Sequence, residues 1–181
     1  MNKSSAEHSA HTGFLIVLLA LTAFFTGCSS PDPRPYNVDL DANQNLGSST
    51  VRVDLIGISS SDANRLMGYP IDKYWDPSNP LRQSLQKKTF VFGEGQPTTH
   101  VLAIDDPIWN EWLSRGADQL LIIADLPGVF KEGSDLRRLV IPLDLYRWPN
   151  GWFWRTKTID LQIQAPLIQL KTAQIPQPTG N

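Results

Sequence analysis

The residues whose side chains could do chemistry are few and scattered along the chain. His100 lies within an alternating segment that predicts a strand, and no Gly-x-Ser-x-Gly pattern supplies a nucleophile for it to activate. We therefore expect His100 to be a strand residue that faces water. Asp105 and Asp106 could form an acid pair, but Asp106 is better explained as the cap of a helix.

Segment 39–45 carries oxygen-bearing side chains at every second position, as the start of a calcium loop does. The pattern then fails, because Gln44 stands where the turn glycine belongs and Thr50 where the bidentate glutamate belongs. A polar hairpin loop is the better interpretation. The sequence also lacks a zinc-type cluster of Cys and His and a nucleotide-binding glycine pattern. We thus expect no metal, no cofactor and no catalytic residue, which describes a protein that is not an enzyme.

Cys28 is the one cysteine, and it ends an uncharged apolar run over residues 13–27. That run is shorter than the roughly 20 apolar residues of a membrane-spanning helix, and Lys3 precedes it as in an export signal. Two simpler alternatives are a transmembrane anchor and a cleaved soluble signal with an incidental cysteine.

The residues Phe25-Thr26-Gly27 before Cys28 resemble the lipobox of bacterial lipoproteins, with Phe25 in place of the usual Leu. This resemblance implies that residues 1–27 are a signal peptide and that Cys28 becomes the acylated first residue. Several acyl chains anchor stably, since each buried methylene contributes about 0.8 kcal/mol. By resemblance to bacterial lipoprotein sorting, Ser29 rather than Asp after the cysteine implies sorting to the outer membrane, where the chain would face the periplasm.

Residues 28–35 alternate proline with polar residues and predict an extended tether. The net charge of −2 and the absence of a basic patch give no reason to expect a nucleic-acid partner. Because acylation would consume the only thiol, no disulfide is expected either.

Residues 36–172 predict one mainly β domain, an antiparallel two-sheet sandwich with short helical insertions. We expect 118–125 to be a central strand, Pro142 to lie at an edge or strand end, and Pro77 and Pro80 to stop the second helix. Residues 173–181 predict a disordered tail. Strands are predicted over 36–41, 50–58, 88–92, 98–104, 118–125, 138–143, 158–164 and 167–171, and helices over 63–67, 71–75 and 107–115.

The segment 146–155 concentrates aromatic side chains around the turn signal Pro149-Asn150-Gly151. Trp148, Trp152 and Trp154 could pack over a sheet edge, which we favour, or form an exposed binding tip.

Together, the lipobox, the tether, the polar loop from Asn43 to Ser49 and the strand from Val51 to Ile58 resemble the outer-membrane lipoprotein family of the type VI secretion system. The apolar strand Leu120 to Ala124 and the closing strands from Ile159 to Leu170 fit the same order. The resemblance implies a transthyretin-like sandwich with helical insertions. It also implies a loop that holds the periplasmic domain of an inner-membrane partner, and the residues of that loop here are Asn43, Gln44, Asn45 and Leu46.

Two functions follow from these observations. The first is a non-catalytic component of a secretion or envelope assembly. The alternative is a lipoprotein module that binds peptidoglycan or sugar through the aromatic hairpin.

Cys28→Ser should abolish incorporation of labelled palmitate and leave an uncut precursor, because no other thiol is available. Metabolic labelling followed by an immunoblot for precursor size checks both outcomes. Persistence of the label in the variant would exclude Cys28 as the anchor.

Overall fold

A computed structural model of the chain describes residues 32–42, 46, 49–128, 135–143 and 157–172. Backbone contacts divide the chain after Asp32, and every element named below lies in the unit Pro33–Asn181. None of the helices in these ranges is long and apolar enough to span a membrane. The strands are β1 (Asn37–Ala42), β2 (Val51–Ile58), β3 (Lys87–Phe92), β4 (Thr99–Leu102), β5 (Gln119–Ala124), β6 (Arg138–Pro142), β7 (Thr158–Gln164) and β8 (Leu167–Leu170). The helices are α1 (Ser60–Met67), α2 (Ile71–Tyr74), α3 (Pro80–Ser84) and α4 (Ile108–Ser114).

The strands form two four-stranded sheets, a first sheet of order β4-β1-β7-β8 and a second of order β3-β2-β5-β6. The predicted mainly β two-sheet sandwich is confirmed, and Pro142 lies on the edge strand β6 as expected. One pair departs from the antiparallel expectation, because β1 runs parallel to β7 with Val38 opposite Ile159.

The loop after β1 is not a hairpin, since β1 and β2 belong to different sheets. The apolar residues of the two strands meet face to face: Val38 and Val53 are fully buried in the same core. The chain therefore crosses from one sheet to the other between Ala42 and Val51.

A main core fills the space between the two sheets. Strands β1 and β7 contribute every second residue to it, as expected of strands with one apolar face. Trp109 and Trp112 of α4 close one side of this core, with ring centres 5.1 Å apart and an interplanar angle of 86°. That edge-to-face geometry is a favoured arrangement of aromatic rings.

A second core lies on the opposite face of the second sheet. Ile56 and Ile58 of β2 and Leu121 and Ile123 of β5 point outward from the sandwich, yet all four are buried. Helices α1, α2 and α3 cover them with apolar side chains that include Leu66, Ile71, Tyr74, Trp75 and Leu81. The central position and burial predicted for β5 are thus confirmed, because the helices shield the face that the first sheet leaves open.

Short caps fix the helices of this layer. Ser59 Oγ accepts a hydrogen bond from the backbone N–H of Asp62 at 3.3 Å, which begins α1. The second helix ends at Tyr74, before Pro77 and Pro80, as expected, but the short helix α3 that begins at Pro80 was not predicted. Proline suits that position, and Asn79 caps the helix by accepting from the N–H of Arg82 at 2.8 Å.

Gly57 of β2 allows Trp112 to lie directly against the second sheet. A Cβ at position 57 would stand 2.4 Å from Cβ and Cγ of Trp112. These atoms are close to the backbone of α4, so they have little freedom to move aside. The indole N–H of Trp112 is held as well, because it donates to the carbonyl of Gln86 at 2.9 Å.

Gly57→Ala should lower the free energy of unfolding by about 1 to 3 kcal/mol through overpacking against Trp112. Gly68→Ala is the matched control, because Gly68 has a helical φ of −84° and its Cβ would stand 3.6 Å from the carbonyl oxygen of Asn64, an ordinary van der Waals contact. Urea unfolding of both variants tests the difference, and equal midpoints for Gly57→Ala and the unmodified chain would contradict the packing argument.

Candidate partner-binding end of the sandwich

Most of the site residues predicted from the sequence lie outside the described residues, so their roles stay predictions. These are Cys28, Asn43, Gln44, Asn45, Trp148, Trp152 and Trp154. Leu46 is described.

Leu46 is an apolar anchor of the loop between β1 and β2. Its side chain is 8% exposed and belongs to the main core between the sheets. The apolar surface that Leu46 buries stabilises the fold, and little of its side chain remains exposed for a partner to contact. In the loop predicted to bind a partner, Leu46 therefore has a positioning role.

Both ends of this loop are fixed against the turn that joins β3 to β4. At one end, the backbone N–H of Ala42 donates to the carbonyl of Thr98 at 2.8 Å. At the other, Gly93 has a φ of +150°, and a Cβ there would stand 3.2 Å from Cα of Thr50. The close approach of the two backbones thus depends on a glycine at position 93.

We call this region the loop end: residues 42, 46, 49–50 and 93–99. Ser49 and Thr50 are exposed, and so is every residue from 94 to 99. Residues 49–50 and 94–99 of the loop end are consequently a solvent-facing surface, which the buried Ala42 and Leu46 connect to the sandwich, and this is the usual setting of binding residues.

His100 does not face water as we expected. Its ring is half-buried and packs on Phe90 and Phe92 of β3, with ring centres 5.1 and 4.8 Å away. Its Nε2 lies 2.9 Å from the carbonyl oxygen of Val91. The alternation of β4 turns His100 inward, where it bridges the edges of the two sheets.

A buried charged cluster lies on the other face of the second sheet, and sequence reasoning missed it. The alternation of β2 places Asp54 on the face away from the main core. The helices cover that face, and Asp54 is completely buried. One sequence feature could have indicated that this face is covered. The helical segment after β2 carries apolar residues, and these must pack against some surface of the domain.

The carboxylate of Asp54 is fully satisfied by neighbouring donors. Arg82 of α3 donates to it from Nε at 2.9 Å and from Nη2 at 3.2 Å. The hydroxyls of Tyr74 and Thr89 donate at 2.8 and 2.6 Å. Burial, and next the charge of Asp54, raise the pKa of Tyr74, so its hydroxyl stays protonated and keeps donating.

Trp75 packs between two guanidinium groups beside this carboxylate. The Cζ atoms of Arg52 and Arg82 lie 4.8 and 4.6 Å from the ring centre of Trp75. Arg52 is held in turn by Asp125, whose carboxylate accepts from its Nε at 3.1 Å. Because the charges are paired and Asp54 is enclosed, this cluster is suited to fastening the helices to the sheet.

A cavity of about 150 Å³ opens between α1, α4 and the segment 84–86 that precedes β3. Its apolar lining includes Ile56, Leu66 and Trp112, and Arg65 and Arg115 also border it.

In the described ranges, no group of three or more His, Cys, Asp or Glu side chains could hold a metal ion.

The fold of this chain recurs in a solved structure of another protein. No protein-family model matches the sequence, and no curated protein matches it either. A solved chain described as "Type VI membrane complex" superposes with a TM-score of 0.50 at 12% identity, covering 77% of this chain and 98% of that one. The chain therefore shares the fold of a protein in that complex.

Two further structures give lower scores. The TssM C-terminal domain from EAEC has a TM-score of 0.49 at 11% identity, with 75% of this chain and 98% of that chain covered. The type VI lipoprotein TssJ1 from Pseudomonas aeruginosa has a TM-score of 0.46 at 17% identity, with coverages of 80% and 99%.

Asp54→Ala should lower the free energy of unfolding by about 3 kcal/mol, because it leaves the guanidinium of Arg82 largely buried without its partner. Arg65→Ala, which breaks an exposed ion pair with Asp62, should change it by about 0.5 kcal/mol or less. Chemical denaturation measures both. A loss in Asp54→Ala no larger than that in Arg65→Ala would show that the cluster does not fasten the helices.

Proposed function

We propose that this chain is a lipid-anchored, non-catalytic component of a type VI-like secretion assembly, held on the periplasmic face of the outer membrane. The observation that supports it most is the two-sheet sandwich shared with a chain of a type VI membrane complex. The apolar run that ends at Cys28 supports the anchor independently. Scaffold proteins of this kind act through surfaces, so the loop end is the place to look for a partner.

Asn43, Gln44 and Asn45 form the proposed contact with the periplasmic domain of an inner-membrane secretion protein. The neighbouring contacts favour such a role, because the hydrogen bond from Ala42 to Thr98 and the burial of Leu46 restrict the loop on both sides. Restricting a loop before binding reduces the entropy lost when the partner docks. Asn and Gln side chains provide donors and acceptors for such a contact.

Changing Asn43, Gln44 and Asn45 together to alanine should leave the melting temperature nearly unchanged and weaken binding to that periplasmic domain. Polar loop residues contribute little to the core, whereas loss of interface hydrogen bonds is costly to binding. Co-purification from cells and calorimetry with the purified domain measure the effect. The matched control is Asn110→Ala with Glu111→Ala, two exposed residues on α4. A triple variant that binds as the control does would remove the loop from the proposal.

Trp152→Ala separates this function from the peptidoglycan-binding alternative. If Trp152 packs into the domain, its loss should lower stability by about 3 to 5 kcal/mol. If it binds sugar, the variant should be stable and should no longer sediment with purified cell wall. That second result, together with normal partner binding by the loop variant, would replace the assembly function by the binding module.

A further inference from the structure

Among the described residues, strand β4 has a strand on one side only. It is an edge strand of the first sheet, and its one partner in that part of the chain is β1. Antiparallel pairs alternate between residues whose backbone groups point toward the partner and residues whose groups point away. The hydrogen bond from Ala42 to Thr98 sets this alternation. His100 and Leu102 therefore face β1, and the N–H and C=O groups of Thr99 and Val101 point outward.

The other sheet edges in the described part of the chain carry protection of the kind that prevents strand addition. On β8, the N–H of Ile168 donates to the carbonyl of Leu136 at 3.0 Å. On β3, Lys88 is paired with Asp106 at 2.7 Å. On β6, Pro142 ends the strand. By contrast, β4 has the sequence Thr-His-Val-Leu, without lysine, proline or an acidic residue.

The surface beside β4 is apolar at one position and acidic around it. Val101 is 57% exposed on the outer face of the first sheet. Its register partner on β1 is Asp39, and that of Thr99 is Asp41. Asp160 on β7 stands beside Asp39. Within the described residues, none of these three carboxylates forms an ion pair.

The titration of Asp39 agrees with uncompensated charge on this face. Partial burial, and after it the charge of Asp160, raise the pKa of Asp39 above its usual value. Like charges placed this close favour a cation that would lie between or above them.

We propose that β4 accepts an extended segment of a partner protein in which lysine or arginine alternates with apolar residues. The segment adds to the first sheet as a fifth strand and bonds to the backbone of Thr99 and Val101. An added strand lies about 10 Å from β1, two strand spacings away. The stem of a lysine or arginine can cover Val101 while its charged head approaches Asp39, within the screening length of roughly 8 Å at physiological salt.

This edge adjoins the loop end, because Thr98 both precedes β4 and binds Ala42. The inference stands on the unpaired edge and its charge, and it does not need the loop to contact the inner-membrane protein. Binding at β4 therefore predicts that the triple alanine variant of 43–45 keeps its affinity for a basic strand.

The test uses the full-length chain in mild detergent and a fluorescein-labelled peptide of alternating lysine and valine. Fluorescence anisotropy should show saturable binding that weakens with salt, and a glutamate–valine peptide should bind at least about tenfold more weakly. Val101→Pro removes the outward N–H, and proline is tolerated on an edge strand where that N–H faces solvent. We expect it to weaken binding about tenfold, as the loss of one or two hydrogen bonds implies.

Val101→Thr is the matched control, since it keeps the backbone donor and should keep the affinity within about twofold. Asp39→Asn with Asp41→Asn should weaken binding and flatten its dependence on salt. Hydrogen exchange gives a readout that does not need the proline variant to fold: the amides of Thr99 and Val101 should become protected when the lysine–valine peptide is added.

Three results would overturn the proposal. One is equal binding of the basic and acidic peptides, and another is saturable binding without protection of the Thr99 and Val101 amides. The third is a dimer in sedimentation that Val101→Pro dissolves, which would make a second copy of this chain the occupant of the edge.

Discussion

The fold depends on covering both faces of β2 and β5. These strands carry apolar residues on the side of the main core and on the opposite side, so neither face can be left to water. The first sheet covers one face, and the three short helices between β2 and β3 cover the other. The helical segment is therefore an integral layer of the domain, and it could not be removed without exposing Ile56, Ile58, Leu121 and Ile123.

The hydrophobic effect is non-directional, so apolar burial alone would allow the short helices to pack on the sheet in several orientations. The ion pair of Asp54 with Arg82 has a direction, because a bidentate guanidinium must meet the carboxylate in one plane. Arg137 adds a second constraint by donating to Asp72 of α2 at 2.7 Å. We infer that these polar contacts select one placement of the helices from the many that the apolar contacts would accept.

Short-range patterns in the sequence predicted the strands and helices whose formation depends on neighbouring residues. The alternation of β2 and the apolar run of β5 gave elements at the expected positions. Helix α4 also lies within the predicted range 107–115, but its N-cap is Pro107 rather than Asp106, whose carboxylate accepts from the N–H of Ile108 at 3.0 Å. Helix α3 was missed because proline is common both after the end of one helix and at the first position of the next. The capping residue Asn79 is what marks Pro80 as a first position.

Placement in space was harder to predict than local structure. The burial of Asp54 was not predicted, because a strand pattern shows which residues share a face, without showing what covers that face. The same limit applies to His100, and to the parallel pairing of β1 with β7, which joins segments far apart in sequence. Of the candidate site, Leu46 alone could be compared with the structure. Its apolar character predicted burial better than its position in a polar loop did.

The pairing of β1 with β7 also has a consequence for the order in which the domain can form. During synthesis β1 leaves the ribosome long before β7. The first sheet therefore cannot be completed until β7 is available to pair with its central strand β1. The second sheet has no such delay for β2 and β3, which are separated only by the short helices. Contacts between distant segments close slowly. The pairing of β1 with β7 is therefore a slow contact of the first sheet, and until it forms β1 keeps an unpaired edge of the kind that makes folding intermediates prone to aggregate.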